Sequence, residues 1–178
     1  VVRAAARLKF EGLVEPIILG VPEDVHTLLT DFGFSNPGIT VINPNNYANF
    51  DTMRQEFITL RKGKVDESQA DEILRDVNYF GVMLVQLGLA EGMVSGAIHS
   101  TADTVRPALQ IIKTKSGVKR TSGVFLMVKD QHKFVFGDCA INIEPDAETL
   151  AEIAIQSAET AKTFGIDPKV AMLSYSTK

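Results

Sequence analysis

Short β-branched apolar runs alternate with longer amphipathic segments along this chain, and this alternation strongly limits the folds it can adopt. Residues 16–19 and 39–42 are apolar runs closed by turn-forming residues, which is typical of buried strands. The longer segments carry apolar residues at helical spacing. Helices are predicted over residues 1–10, 22–32, 51–60, 79–89, 100–113 and 146–164, with a further helix opened by Asp66 as part of a capping box with Gln69.

The remaining strand signals lie in the second half of the chain. Residues 93–94 form a short apolar run before a Ser-Gly-Ala turn, and residues 169–175 form another at the end. Residues 124–129 and 134–136 read as a hairpin. Alternating strands and helices predict an α/β fold with a mostly parallel sheet and helices on both faces, a three-layer α/β/α arrangement.

One position is a plausible domain boundary. The Lys-Ser-Gly stretch at residues 115–117 separates the alternating pattern from the predicted hairpin. We therefore expect a first α/β domain over residues 1–115 and the start of a second over residues 116–178.

Charge and cysteine content narrow the functional class. The 178 residues contain 18 Lys and Arg against 22 Asp and Glu, a net charge of −4, which argues against a nucleic-acid partner. Cys139 is the single cysteine, so it has no intrachain partner, and a buried thiol in a reducing cytoplasm is expected. No apolar run approaches the ~18 residues of a membrane span, so no membrane partner is expected.

The most informative segment begins with the turn after residues 93–94 and opens the helix at residue 100. Backbone N–H groups at a helix N-terminus favour an anion, particularly beside the end of a strand. Ser100 and Thr101 add hydroxyl donors, and Arg106 follows on a polar stripe with Gln110. On the opposite side, Val105, Leu109 and Ile112 are expected to form the apolar stripe.

The same pattern has a plainer interpretation, because Ser-x-x-Asp is also an ordinary helix cap. The spacing leaves open whether the segment is only a cap or also an anion site. His99 likewise fits a packed or surface histidine as well as a catalytic base. Arg61 lies in the basic Arg-Lys-Gly-Lys end of a predicted helix, where cations complement the helix dipole.

Several motifs are missing from the sequence. It contains no HExxH or CxxC spacing, so no metal site is predicted. It also contains no Gly-x-Ser-x-Gly nucleophile motif and no Gly-x-Gly-x-x-Gly dinucleotide fingerprint.

Four segments resemble blocks of the phosphate acetyltransferase (phosphotransacetylase) family. They are GMVSGAIHSTADTVRPALQIIKT at residues 92–114, FGDCAIN at 136–142, LSYSTK at 173–178 and LRKGK at 60–64. The resemblance implies reversible acetyl transfer from acetyl-CoA to phosphate, giving acetyl phosphate and coenzyme A. It also implies a two-domain parent related to the isocitrate and isopropylmalate dehydrogenases, with its site in the cleft between the domains.

The resemblance further implies substrates, partners and site residues. Arg106 and Arg61 are expected to bind substrate, together with Ser100 and Thr101. Coenzyme A is expected as a substrate, with no permanently bound cofactor and no metal. A cytoplasmic homodimer is implied.

The sequence departs from the family pattern at both ends. The family begins with a Gly-containing strand and turn that would precede Val1, and its Ser-Arg pair and Asp base would lie beyond Lys178. Asp103 and Asp138 do not match that base. We therefore expect a truncated chain with no catalytic residue of its own. The alternatives are a domain that binds coenzyme A or a partner without turnover, or a phosphate butyryltransferase.

Overall fold

The computed structural model describes residues 1–34 and 38–173. The chain divides into two compact units, Val1–Lys113 (unit 1) and Thr114–Lys178 (unit 2). Both combine helices with short strands, so the predicted α/β class is confirmed. The described helices of unit 1 are α1 (Val2–Phe10), α2 (Pro22–Asp31), α3 (Phe50–Arg61), α4 (Glu67–Leu74), α5 (Val77–Gln86) and α6 (Thr101–Ile111), with a 3-10 turn at Pro44–Asn46.

Two parallel strands form the sheet of unit 1. They are β1 (Ile17–Leu19) and β2 (Thr40–Ile42), with Ile18 opposite Val41. Helix α2 connects them, as expected for a parallel pair that needs a crossover. The predicted strands at residues 16–19 and 39–42 are confirmed.

Local sequence signals set the helix boundaries. The Asp66 side chain accepts from the Gln69 backbone N–H at 2.8 Å, and the Gln69 side chain accepts from the Asp66 N–H at 3.0 Å. This is the predicted capping box at the start of α4. Helix α3 ends where Lys62 takes a left-handed conformation, with φ of 51°.

The larger of two apolar clusters in unit 1 lies among α3, α4, α5 and α6, and the smaller contains Ala6, Ile18, Val25 and Leu29. Phe57, Phe80 and Leu74 are completely buried, and Tyr47 packs edge-on against Phe80 with ring centroids 5.2 Å apart. The predicted buried helix over residues 79–89 is confirmed as α5, although it ends at Gln86. Burying each large side chain contributes about 1.5–3 kcal/mol, so this core is the main source of stability in unit 1.

Helix α5 lies unusually close to β1 and to the segment after it at one position. A side-chain carbon added at Gly81 would lie 2.7 Å from the Met93 Sδ and 3.3 Å from the Leu19 Cδ1. Only a residue without a side chain fits there unless Met93 moves.

An arginine joins α3 to α4 on the outer side of that core. Arg54 contacts Asp71 at 2.8 Å and Glu67 at 2.9 Å, as well as Asp51 within its own helix. The hydrogen bond to Asp71, opposed by burial, raises the pKa of Arg54 above its ordinary value.

Unit 2 combines a hairpin with one long helix. Its strands β3 (Val124–Lys129) and β4 (His132–Gly137) pair antiparallel, and α7 (Ala147–Thr163) follows. Asp146 caps α7 by accepting from the Thr149 N–H at 2.8 Å. The predicted hairpin and the predicted helix over residues 146–164 are confirmed.

Three expectations about the strands are wrong. Residues 93–94 form no strand, because the Val94 side chain is fully exposed and the segment pairs with no described strand. Residues 169–173 also lack strand structure, while residues 174–175 of that predicted strand lie outside the described residues. The described strands form one parallel and one antiparallel pair rather than a mostly parallel sheet.

The apolar stripe predicted for α6 is also wrong. Leu109 and Ile112 are 42% and 46% exposed, whereas Pro107 and Ile111 are buried. Helix α6 begins at Thr101 and continues through Pro107. The helix therefore packs through a face turned away from the one that its hydrophobic pattern suggested.

Candidate functional site

A shallow pocket of about 290 Å³ lies in unit 1, where helices α4, α5 and α6 approach one another. It is lined by Ile73, Asp76, Tyr79, His99, Asp103 and Arg106. His99, Asp103 and Arg106 belong to the segment that the sequence analysis singled out. Ile73, Asp76 and Tyr79 come from the preceding helical region, so the pocket joins residues distant in sequence.

The N-termini of α5 and α6 both reach this pocket. Asp76 caps α5 by accepting from the backbone N–H groups of Asn78 at 2.9 Å and Tyr79 at 3.1 Å. Ser100 caps α6 by accepting from the Asp103 N–H at 3.2 Å. Each helix N-terminus contributes partial positive charge, which favours a bound anion near the pocket.

Asp103 is held in its ionised form at the edge of the pocket. The Ser100 hydroxyl donates to its carboxylate at 2.6 Å, and this hydrogen bond, aided by the charges of Arg106 and His99, lowers the pKa of Asp103. Ser100 therefore has two roles, as the cap of α6 and as a donor to Asp103. Its hydroxyl proton is already used within the protein.

Arg106 and His99 differ from the other polar residues of the wall. Arg106 is exposed on α6, and His99 is half-buried directly before the Ser100 cap. Among the described residues, neither side chain has a hydrogen-bond partner or an ion-pair partner. Both can therefore donate to a ligand without breaking a contact inside the protein.

Arg61 reaches α6 at a different point. Its Nη1 donates to the backbone carbonyl of Gln110 at 3.3 Å, near the end of α6. The Tyr79 hydroxyl donates to the Gln110 side-chain oxygen at 3.0 Å. Arg61 does not line the pocket, but Gln110 links it to Tyr79, which does. The arrangement gives Arg61 the role of a cation at a helix C-terminus.

Thr101 is the first residue of α6 and is exposed, but it does not line the pocket. Of the four residues predicted to bind substrate, only Arg106 contributes to the pocket wall. Ser100 supports the wall through Asp103, and Arg61 does so through Gln110.

Sequence reasoning missed the contribution of α5 to the site. Tyr79 was assigned to a buried helix, and its ring does pack edge-on against Phe57. Tyr79 nevertheless lines the pocket, and its hydroxyl donates to Gln110 of α6. Asp76 could have indicated this contribution in the sequence. It is a good N-cap residue before an apolar helix, so it marks a helix N-terminus in the same way as Ser100.

The polar cluster of unit 2 is a separate structural feature. Asp138 accepts from the Gly123 N–H at 2.8 Å and the Ile141 N–H at 3.1 Å, and the Asn142 side chain donates to it at 2.9 Å. Burial would raise the pKa of Asp138, but the N–H donors of Asn142 and Gly123 outweigh it and lower the pKa. The neighbouring Cys139 is half-buried, so the expectation of a buried thiol is wrong.

Within residues 1–34 and 38–173, no group of three or more His, Cys, Asp or Glu side chains is arranged to hold a metal ion. In the same part of the chain, no helix has the length and apolar character needed to cross a bilayer.

Comparison with known proteins gives a consistent set of relatives. The family model described as "Phosphate acetyl/butaryl transferase" matches residues 1–178. The chain is 52% identical over 178 residues to the phosphate acetyltransferase of Bacillus subtilis (strain 168) and 54% identical over 178 residues to that of Staphylococcus aureus (strain MRSA252). These alignments cover 100% of this chain and 55% and 54% of the relatives, so the chain spans about half their length.

Two solved structures are also similar. The crystal structure of a phosphotransacetylase from Streptococcus pyogenes has 68% sequence identity and a TM-score of 0.94, covering 100% of this chain and 55% of that one. The EutD phosphotransacetylase from Staphylococcus aureus has 54% identity and a TM-score of 0.89, covering 99% of this chain and 53% of that one.

Proposed function

The chain belongs to the Phosphate acetyl/butaryl transferase family, and we propose that the protein containing it is a phosphate acetyltransferase. In the reaction toward acetyl-CoA, the thiolate of coenzyme A attacks the carbonyl carbon of acetyl phosphate. A carbon–sulfur bond forms, the carbon–oxygen bond to phosphorus breaks, and phosphate leaves with the electron pair. The thiol proton passes to a base.

The observation that carries this proposal is the pocket between the N-termini of α5 and α6, with Arg106 on its wall. Both substrates contain phosphate groups, and the planar guanidinium of arginine can donate two hydrogen bonds to a phosphate. The partial charges of the two helices act in the same direction. A local site of this kind binds anions despite the net charge of −4.

The residues of this chain supply the binding half of the reaction in our proposal. Arg106 binds a phosphate group, and Ser100 with Thr101 forms the start of the helix beside it. Arg61 supports the far end of α6 through Gln110. The oxyanion donors and the general base that the reaction requires are expected from the family's Ser-Arg pair and Asp, which have no counterpart in this chain.

Substitution of Arg106 tests the proposal most directly. In the full-length protein, Arg106→Ala should reduce kcat/KM for coenzyme A-dependent release of phosphate from acetyl phosphate by at least about tenfold, or ~1.4 kcal/mol. Arg3→Ala, at an exposed position on α1, is the matched control and should leave kcat/KM unchanged. A loss below tenfold would contradict the role of Arg106, and a wild-type protein without acetyl transfer would contradict the function.

A second function is considered because the chain spans about half the length of its relatives. A unit of this size with a preformed anion pocket could bind coenzyme A or a partner without turnover. If the 178-residue chain alone catalyses acetyl transfer at the full rate, this alternative fails. Kinetic comparison of acetyl phosphate with butyryl phosphate separates the acetyl from the butyryl transferase.

The finer architecture is also part of the proposal. We expect a three-layer α/β/α arrangement of the isocitrate and isopropylmalate dehydrogenase type, with domains that divide near residue 115. We further expect a cytoplasmic homodimer that uses coenzyme A and phosphate as substrates and no metal. The TM-score of 0.94 to the Streptococcus pyogenes phosphotransacetylase supports a shared fold. Light scattering on the full-length protein would test the dimer.

A further inference from the structure

We propose that His99 is a second binding residue for a phosphoryl group, which it holds together with Arg106 in the pocket of unit 1. The inference rests on the proposed function, because it names a residue and a ligand group for the same site. It adds an imidazole donor that neither the family resemblance nor the comparisons assign.

The other polar groups of the pocket wall are already committed. Asp76 uses its carboxylate to cap α5, and Asp103 accepts the hydrogen bond from Ser100. The Tyr79 hydroxyl donates a hydrogen bond to the Gln110 side-chain oxygen at 3.0 Å. Ile73 is apolar. Within the part of the chain that the structure describes, His99 and Arg106 are therefore the side chains of the wall whose N–H groups remain available to a ligand.

The position of His99 is fixed from both sides. On its C-terminal side, Ser100 is the cap of α6, so His99 stands directly at the start of that helix. On its N-terminal side, Ser95 donates to the Asn78 side-chain oxygen at 2.5 Å, and Asn78 is buried at the start of α5. The loop before His99 is therefore attached to α5, and His99 lies between this attachment and the start of α6.

The pocket wall carries two carboxylates and one guanidinium, so binding of an anion depends on the donors of Arg106 and His99. The carboxylates of Asp76 and Asp103 repel a phosphoryl group, whereas the guanidinium attracts it. An imidazole carries an N–H donor in both its neutral and its protonated form, so His99 can donate to a phosphoryl oxygen in either state. Phosphoryl oxygens accept several hydrogen bonds, and two donors at different angles fix the orientation of the group.

The ligand group occurs in two sources: phosphate or acetyl phosphate, and the phosphates of coenzyme A. The experiment uses the full-length protein with His99→Ala, which removes the donor, and His99→Gln, which keeps an amide N–H. His26→Ala is the matched control, since His26 is exposed on α2 and lies outside the pocket. Binding of inorganic phosphate is measured by calorimetry, and KM is measured separately for acetyl phosphate and coenzyme A.

We expect His99→Ala to weaken phosphate binding and to raise KM for acetyl phosphate by about tenfold, the loss of one charge-assisted hydrogen bond. His99→Gln should recover part of this loss, and His26→Ala should match the wild type. An increase confined to KM for coenzyme A would support the same role for His99 with coenzyme A as the source.

Two outcomes would overturn the proposal. One is unchanged phosphate binding and unchanged KM values in His99→Ala. The other is an equal loss in His99→Ala and His99→Gln accompanied by a lowered melting temperature, which would indicate a structural role. Calorimetry does not depend on turnover, so a wild-type protein that lacks acetyl transfer would refute the proposed function and still report on His99.

Discussion

The central aromatic residues of the two units differ in their burial. In unit 1, Phe57 and Phe80 are completely buried among four helices. In unit 2, Phe125 and Phe136 lie opposite each other on the hairpin, and each is 57% exposed. Similar apolar patterns in the sequence therefore give very different burial. Unit 1 is stabilised mainly by its apolar core, and unit 2 has to depend more on polar contacts.

The polar contacts of unit 2 lie at the base of its hairpin. Besides the Asp138 cluster, the Ser122 hydroxyl donates to the Gln156 side chain at 3.0 Å, and the Gln156 amide donates to the Arg120 carbonyl at 3.0 Å. These bonds connect the chain before β3 to α7. Directional contacts of this kind fix geometry, but each contributes only about 0.5–1.5 kcal/mol net.

The largest loss of stability is expected when a buried phenylalanine of unit 1 is replaced by alanine. The same replacement of an exposed phenylalanine in unit 2 gives the comparison. Phe57→Ala should lower the free energy of unfolding by about 3–5 kcal/mol, because it leaves a cavity in the core. Phe125→Ala should lower it by less than about 1 kcal/mol, because most of that ring is already in solvent. Urea unfolding of the 178-residue chain, followed by circular dichroism, measures both. Equal losses would break the comparison.

Substitution of Asp138 should give the next largest loss of stability, and it tests how much polar contacts stabilise unit 2. Asp138→Ala leaves several half-buried N–H groups without this acceptor and should cost about 1–3 kcal/mol. The loss should appear as faster amide exchange in unit 2, with unit 1 unchanged. Asp167→Ala, at an exposed position of unit 2 outside the cluster, is the control.

The lowered pKa of Asp138 predicts that the stability of the folded state depends on pH. Because the folded state lowers the pKa of Asp138, its stabilisation is complete above the unfolded value of about 3.9 and is lost as the pH falls through the folded pKa. The stability difference between wild type and Asp138→Asn should therefore shrink on acidification below about pH 4. A difference that grows in acid would contradict this assignment.

Substitution of Ser100, in unit 1, should cause a smaller loss of stability. Ser100→Ala removes the cap of α6 and should cost about 1 kcal/mol. It should also raise the pKa of Asp103, because the hydroxyl donor to that carboxylate is lost. Thermal unfolding gives the first quantity and NMR titration gives the second. Ser100→Thr, which retains a hydroxyl, should restore most of both.

The smallest effect is expected at Lys119, which pairs with Glu148 at 2.6 Å on the surface of unit 2. Both side chains are about 70% exposed, so Lys119→Ala should leave the free energy of unfolding almost unchanged. Thermal unfolding at low and high salt measures it. A loss comparable to that of Asp138→Ala would show that this surface pair stabilises unit 2 as much as the Asp138 cluster does.

The helices could be predicted because their signals are local. Asp66 with Gln69, and Ser100 with Asp103, are caps readable within four residues, and the structure has both. The hairpin was readable for the same reason, since its two strands are neighbours in sequence. Parallel pairing of β1 with β2 was implied by the helix between them.

The errors arose where tertiary contacts decide the outcome. Val94 has the residue type of a strand but no neighbouring strand among the described residues, and the buried face of α6 depends on where α3 and α5 lie. The pocket could not be predicted for the same reason, because Tyr79 meets Arg106 only after α5 and α6 pack. The sequence identified Arg106 and the Ser100 cap, whereas the opposite wall of the pocket required the structure.

The Asp138 cluster has a consequence for how hydrogen exchange is distributed in unit 2. The backbone amides of Gly123, Ile141 and Asn142 lie outside regular secondary structure, where deuterium normally replaces protons quickly. Since each donates to the Asp138 carboxylate, these three amides should retain their protons far longer than the neighbouring Ile143. These amides should therefore exchange about as slowly as those in the interior of α7, although their segment is not helical.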